Sequence, residues 1–223
     1  AVDYLLRQAN GSGLISAMGE ESRGMYGHGF AMLVLAQAYG MGADERQAKK
    51  IRTVLQRAVR LTVQAQSRDG GWYYTPDSQR DEGSVTVTQI QALRACRNAG
   101  IKVPKTTIQR ACKYIRTCQN ADGGISYALR SRGRSLPAIT AAAVATMYNA
   151  GQYEDKVAEG AMRYTSNHLK KHKFDPWKAY RGHTFYSMLY ASQCFWFKGD
   201  KEWKRFFVPA RDRLVAKQKQ DGS

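Results

Sequence analysis

The chain is 223 residues long, with 43% hydrophobic and 24% charged residues, enough for a packed domain and ordinary for a globular protein. Its five prolines leave long stretches without a breaker, which favours helices over a many-stranded sheet, and no apolar run nears the ~18 residues that cross a bilayer. The formal net charge of +17 excludes an acidic protein and leaves nucleic acid, an anionic membrane or an acidic partner electrostatically open.

In chain order, a short corner comes first: Gln8-Ala9-Asn10-Gly11-Ser12-Gly13. A weakly charged segment, Met25 to Tyr39, follows and predicts a buried helix. From Asp44 to Gln66 the pattern changes: Ile51, Val54, Leu55, Ala58, Leu61 and Ala65 recur at steps of three and four, one apolar stripe on a solvated helix. The corner returns as Gln66-Ser67-Arg68-Asp69-Gly70-Gly71-Trp72, and the alternation repeats with Ser84 to Ala99 and Pro104 to Gln119. A third corner, Gln119-Asn120-Ala121-Asp122-Gly123-Gly124-Ile125, leads into Ser135 to Ala150. That segment holds the uncharged run Thr140-Ala141-Ala142-Ala143-Val144-Ala145, then Glu154 to Lys171 is charged again. A worn corner, His172-Lys173-Phe174-Asp175-Pro176-Trp177, precedes Arg181 to Phe197 and Glu202 to Lys219, and Gln218-Lys219-Gln220-Asp221-Gly222-Ser223 is the last copy.

A period of about 50 residues is that of a helical-hairpin repeat. Paired glycines let the backbone reverse tightly, and an adjacent Asp caps the turn. The prediction is a single all-α repeat domain over 1–223, an α/α toroid of inner and outer helices. Its ring is either open or incomplete, with four inner helices and five outer ones. In the second case the chain is a piece of a longer one, stopping where a Trp and a further inner helix would follow.

Basic residues spread over the predicted outer helices, with Lys49, Lys50, Arg52, Arg57 and Arg60 on one. A solvated basic exterior accounts for them, and an acidic protein or polyanion is the macromolecule it would suit. No aromatic residues interleave them as a strand-binding groove requires, so nucleic acid is not favoured. Cys96, Cys112, Cys118 and Cys194 form no metal-binding spacing and read as small buried hydrophobes, with a disulfide between neighbouring helices left open.

The corners resemble the QW repeats of the terpenoid cyclase and protein prenyltransferase superfamily, and the helix before the third fits too, with Arg110-Ala111 and Tyr114-Ile115 ahead of Gln119. The stretch Met25-Tyr26-Gly27-His28-Gly29-Phe30 is similar to that of bacterial prenyltransferase or squalene-oxidase repeat proteins. The resemblance implies the toroid, and the second similarity a bacterial source; the start at Ala1 without a Met leaves a removed export signal or tag open, with export or the cell envelope as one location and the compartment undecided. The resemblance does not carry the chemistry across. The Asp-rich D-x-D-D acid of class II cyclases, the D-x-C and distant His that hold zinc in prenyltransferases, and the Gly-Cys-Gly-Glu-Gln of thioester domains are all missing from the sequence. The expectation is a ligand-binding or interaction domain with no cofactor and no metal. An enzyme of the same fold acting in the central cavity, or a scaffold, are the alternatives.

Candidate residues cluster where inner helices begin. Gly27-His28-Gly29-Phe30 parallels Gly182-His183-Thr184-Phe185, which suggests two histidines at one mouth of the cavity, as acid/base groups or ligands. Arg23, Arg134 and Arg181, with Arg80 and Arg132, precede inner helices and suit an anionic ligand. Tyr26, Trp72, Trp177 and Tyr180 supply aromatic faces for a small apolar one, beside Tyr73 and Tyr74.

Overall fold

A computed structural model of the chain describes residues 1–42, 44–77, 79–152 and 154–222. Its helices are α1 (Val2–Arg7), α2 (Gly24–Gly40), α3 (Glu45–Gln64), α4 (Gly83–Asn98), α5 (Lys105–Thr117), α6 (Pro137–Asn149), α7 (Lys156–Lys171), α8 (Pro176–Ala179), α9 (Thr184–Phe197) and α10 (Asp200–Lys217). Among the described residues there is no β-strand; isolated bridges such as Ala9–Ile15, Trp72–Glu82 and Gln119–Ile125 only pinch the corners. The fold is all-α, with buried inner helices alternating with solvent-facing outer ones, as the α/α-toroid class requires. No helix among the described residues is long and apolar enough to cross a membrane. None of the four cysteines is in a disulfide; all are buried, and burial alone pushes the Cys96 thiol up to about 12.

The chain divides into two compact units: Ala1–Cys118 with Ala128–Arg130, and Gln119–Tyr127 with Ser131–Ser223. In the first unit the inner helices α2 and α4 pack on each other. Gly29 allows this approach, since a Cβ there would lie 2.5 Å from Thr88 Oγ1. The outer helix α3 buries Ile51, Val54, Leu55, Ala58, Val59 and Thr62 and turns its charges to solvent. Asp44 starts it by accepting the Gln47 N–H, an N-cap that satisfies one of the first-turn amides.

The corner at 66–72 is a clasp. Gln66 Nε2 donates to Gly70 O and to Thr107 O, both at 2.9 Å, tying the end of α3 to the first turn of α5. Gly70, at φ +101°, lies so close to α5 that a Cβ would sit 2.5 Å from Arg110 O. Arg110 answers by donating to Ser67 O at 2.8 Å. Trp72 then closes the corner, wholly buried, with its indole N–H on Thr62 O at 2.7 Å. Gly13, at φ +98°, approaches Arg57 O on α3 in the same way.

In the second unit α6 packs on α7 and α9, and every residue from Ile139 to Tyr148 is buried. The corner at 119–125 repeats the clasp on α7: Gln119 Nε2 donates to Gly123 O at 3.0 Å and Val157 O at 2.8 Å. Gly123 again abuts a backbone carbonyl, that of Gly160. The worn corner at 172–177 departs from the expected loop. It contains α8, because Asp175 accepts the Trp177 and Lys178 amides and Pro176 occupies the first helical position. With no glycine available, Lys173 (φ 52°) and Phe174 (φ 56°) make the left-handed turn themselves. The last inner helix starts later than expected, at Thr184 rather than Arg181, since the left-handed Gly182 (φ +83°) cannot belong to it.

Candidate functional site

The first unit gathers an aromatic and cationic cluster around the start of α2. Arg23, the residue before α2, holds its guanidinium 6.0 Å from the Tyr74 ring, and Arg80 lies 5.6 Å from that of Tyr73. Tyr73 and Tyr74 meet edge-on at 5.2 Å, and Tyr26 meets Phe30 at 5.4 Å. The loop 73–82 is tied to α2 because the Met25 N–H donates to Tyr74 O at 3.0 Å. Burial, then the Glu82 carboxylate and Tyr74, push the Tyr26 phenol above its usual range, so it stays a neutral hydroxyl. Two exposed guanidinium groups over partly exposed rings can take an anionic group while the rings take an apolar one.

The two buried carboxylates among the described residues are both helix caps. Glu82 accepts the Ser84 and Val85 amides at the start of α4, and Asp175 caps α8 and pairs with Arg213 at 3.1 Å. Both are already engaged by backbone amides, and Asp175 by a guanidinium as well.

His28 has a different task from the one its sequence neighbours suggest. It is wholly buried, its Nδ1 accepts the Ile15 N–H at 3.0 Å, and its Nε2 bonds Thr62 Oγ1 at 3.1 Å. An amide can only donate, so Nδ1 is the acceptor and the proton resides on Nε2. Burial lowers its pKa to about 4, and both nitrogens are committed. The same latch recurs with threonine: Trp72 N–H donates to Thr86 Oγ1 at 3.0 Å, and Ile125 N–H to Thr140 Oγ1 at 2.9 Å. Each donor stands two residues past a left-handed glycine (Gly13, Gly70, Gly123). His28 is therefore the counterpart of Thr86 and Thr140 and has no nitrogen left for a ligand. Trp72, sealed in its corner, has no exposed face to offer one either.

His183, by contrast, is exposed in the second unit as the residue before α9, with no side-chain cap bond. Arg134 and Arg181 are exposed there too. Trp177 meets Phe185 edge-on at 6.0 Å beneath Lys217, while Tyr180 is 3% exposed and lies 5.5 Å from His168. His168 and His172, 5.0 Å apart, join Tyr164 and Tyr180 in a ring cluster that sequence reasoning did not single out. His168 lies one helical turn from both Tyr164 and His172, the one signal that could have found it. Its Nε2 bonds Ala179 O at 2.7 Å, and burial lowers its pKa. Among the described residues no three His, Cys, Asp or Glu side chains converge to hold a metal ion.

Residues 41–197, more than half of the chain, match the squalene-hopene cyclase C-terminal domain family. Two solved structures similar to it are those of the type II terpene cyclase MstE from Scytonema. One is an aspartate-to-alanine variant in complex with merosterolic acid A, the product, and the other is the apo form. Each is 16% identical to this chain, covering 100% of it and 79% of its own length, with TM-scores of 0.48 and 0.47. No curated protein matches.

Proposed function

The chain belongs to the squalene-hopene cyclase C-terminal domain family, and on that premise we propose that it is a binding domain for an apolar, terpenoid-like ligand with an anionic end, not a cyclase in its own right. The observation that carries this reading is the employment of the buried carboxylates. Protonating an alkene needs a strong acid kept dry and unspent, and Glu82 and Asp175 are spent on helix N-termini. The Arg23, Arg80, Tyr26, Tyr73 and Tyr74 cluster in the first unit is the ligand's proposed seat. Guanidinium groups fix the anionic end, and ring faces cover part of the chain.

Calorimetry with farnesol and farnesyl diphosphate tests it. The diphosphate is expected to bind at least ~10-fold tighter, about 1.4 kcal/mol, and the double variant Arg23→Ala/Arg80→Ala to erase the difference. A preference that survives both substitutions defeats the assignment of the seat. Cyclic products from squalene incubated with the chain would defeat the non-catalytic reading.

A second reading rests on charge. The outer helices α3, α5, α7 and α10 carry 20 Lys and Arg against 5 Asp and Glu. The inner helices α2, α4, α6 and α9 carry only Arg94 and Arg97. Such an exterior suits a scaffold for an acidic partner, and binding to a polyanion such as heparin that weakens steeply with salt would favour it.

A further inference from the structure

The last corner is folded like its predecessors but grips no helix. Gln218 Nε2 donates to Gly222 O at 3.1 Å, and Gly222 takes φ +86°, the geometry of Gln66 with Gly70 and of Gln119 with Gly123. In those two corners the same amide has a second acceptor, Thr107 O or Val157 O, in the first turn of an outer helix. Gln218 is exposed and has no second acceptor among the described residues. A Cβ on Gly222 would meet nothing nearer than Gln218's own Nε2 at 4.0 Å, where Gly70 and Gly123 each press on a carbonyl.

The inner layer of the same unit shows a matching deficit. Phe185, Leu189 and Trp196, at steps of four and seven along α9, form one stripe and are 70%, 49% and 65% exposed. The neighbouring inner helices α2 and α4, and α6 and α9, cover such faces by packing on one another.

We propose that the last corner and the α9 stripe are one docking surface for a helical hairpin of the chain's own repeat type. Its inner helix covers Phe185, Leu189 and Trp196. Its outer helix gives Gln218 a first-turn carbonyl and lays its backbone against Gly222. An outer helix already gripped by a corner has no receiver to spare. The carbonyls of Arg57, Arg110 and Gly160 already face Gly13, Gly70 and Gly123. The receiving residue stands nine positions before the next corner's Gln, as Arg57 before Gln66 and Arg110 before Gln119; α1, six residues long, has no such position, and on α10 it is Pro209, so a second copy could be gripped only through α10.

The test extends the full chain after Ser223 with a second copy of residues 72–118, which supplies an inner and an outer helix. The extended protein is expected to melt at least ~4 °C higher than the parent, with tryptophan emission shifted to the blue. Gln218→Ala should remove most of that gain while leaving the parent's Tm unchanged. The proposal is overturned by an extended chain no more helical or stable than the parent, or by Gln218→Ala acting equally on both. It is equally overturned by a concentration-dependent dimer of the parent that Trp196→Asp dissolves, since a second copy would then occupy the stripe.

Discussion

Gly27-His28-Gly29-Phe30 and Gly182-His183-Thr184-Phe185 are nearly the same words, and they fold into opposite environments. His28 lies a turn inside α2 and is buried, latched to Ile15 and Thr62; His183 stands before the first residue of α9, exposed. The difference lies in what each unit places opposite. In the first unit a glycine corner delivers the Ile15 N–H to the imidazole. In the second the corner ahead of α9 has no glycine between 172 and 177 and forms α8 instead. A local match in sequence thus fixes neither helical register nor burial; the preceding corner decides both.

Substitutions that hit one unit and spare the other can break this contrast. Trp72→Ala should cost about 3–5 kcal/mol in urea unfolding, since it empties a sealed site and orphans Thr62 O, while Trp177→Ala should cost about 1 kcal/mol or less. Equal losses would mean that the worn corner is as well packed as the intact one. His28 carries the clearest pH signature. Its pKa falls from 6.5 to about 4 on folding, so its contribution is complete above pH 6.5 and is lost as pH drops through 4, at most about 3 kcal/mol. Chemical denaturation from pH 7 to 4 should show that slope in the parent and a much shallower one in His28→Thr, with a remainder from His168. Gly70→Ala should cost about 2–3 kcal/mol, because the left-handed backbone and the Arg110 carbonyl both resist a Cβ. In the opposite direction, Lys173→Gly should stabilise by about 0.5–1 kcal/mol by relieving a left-handed lysine. A loss there would show that the Lys173 side chain supports the turn.

The alternation of helices was legible in the sequence because charge and apolar period change together at each glycine corner, as from Gln64 to Gly83. The fate of single side chains was not. The partners that decide His28 lie 13 and 34 residues away, and only the recurrence of a threonine after the two intact later corners, Thr86 and Thr140, hinted at its latch role. The Arg23 and Tyr74 contact joins the residue before α2 to the loop after the second corner, and no spacing rule reports such a distance. α8 was hidden because four residues carry no period; its signal was the Asp175-Pro176 pair, a cap followed by a helix-starting proline.

Each clasp joins a glutamine to a carbonyl that rides on a separate rod. Adding one residue to an outer helix turns everything beyond it by ~100°, which swings that carbonyl off its glutamine and disengages the clasp. Adding a complete hairpin restores the phase. Length change in such an architecture is therefore quantised: the tolerated step is a whole module, and the single-residue insertion, harmless in a surface loop, is here the more damaging edit.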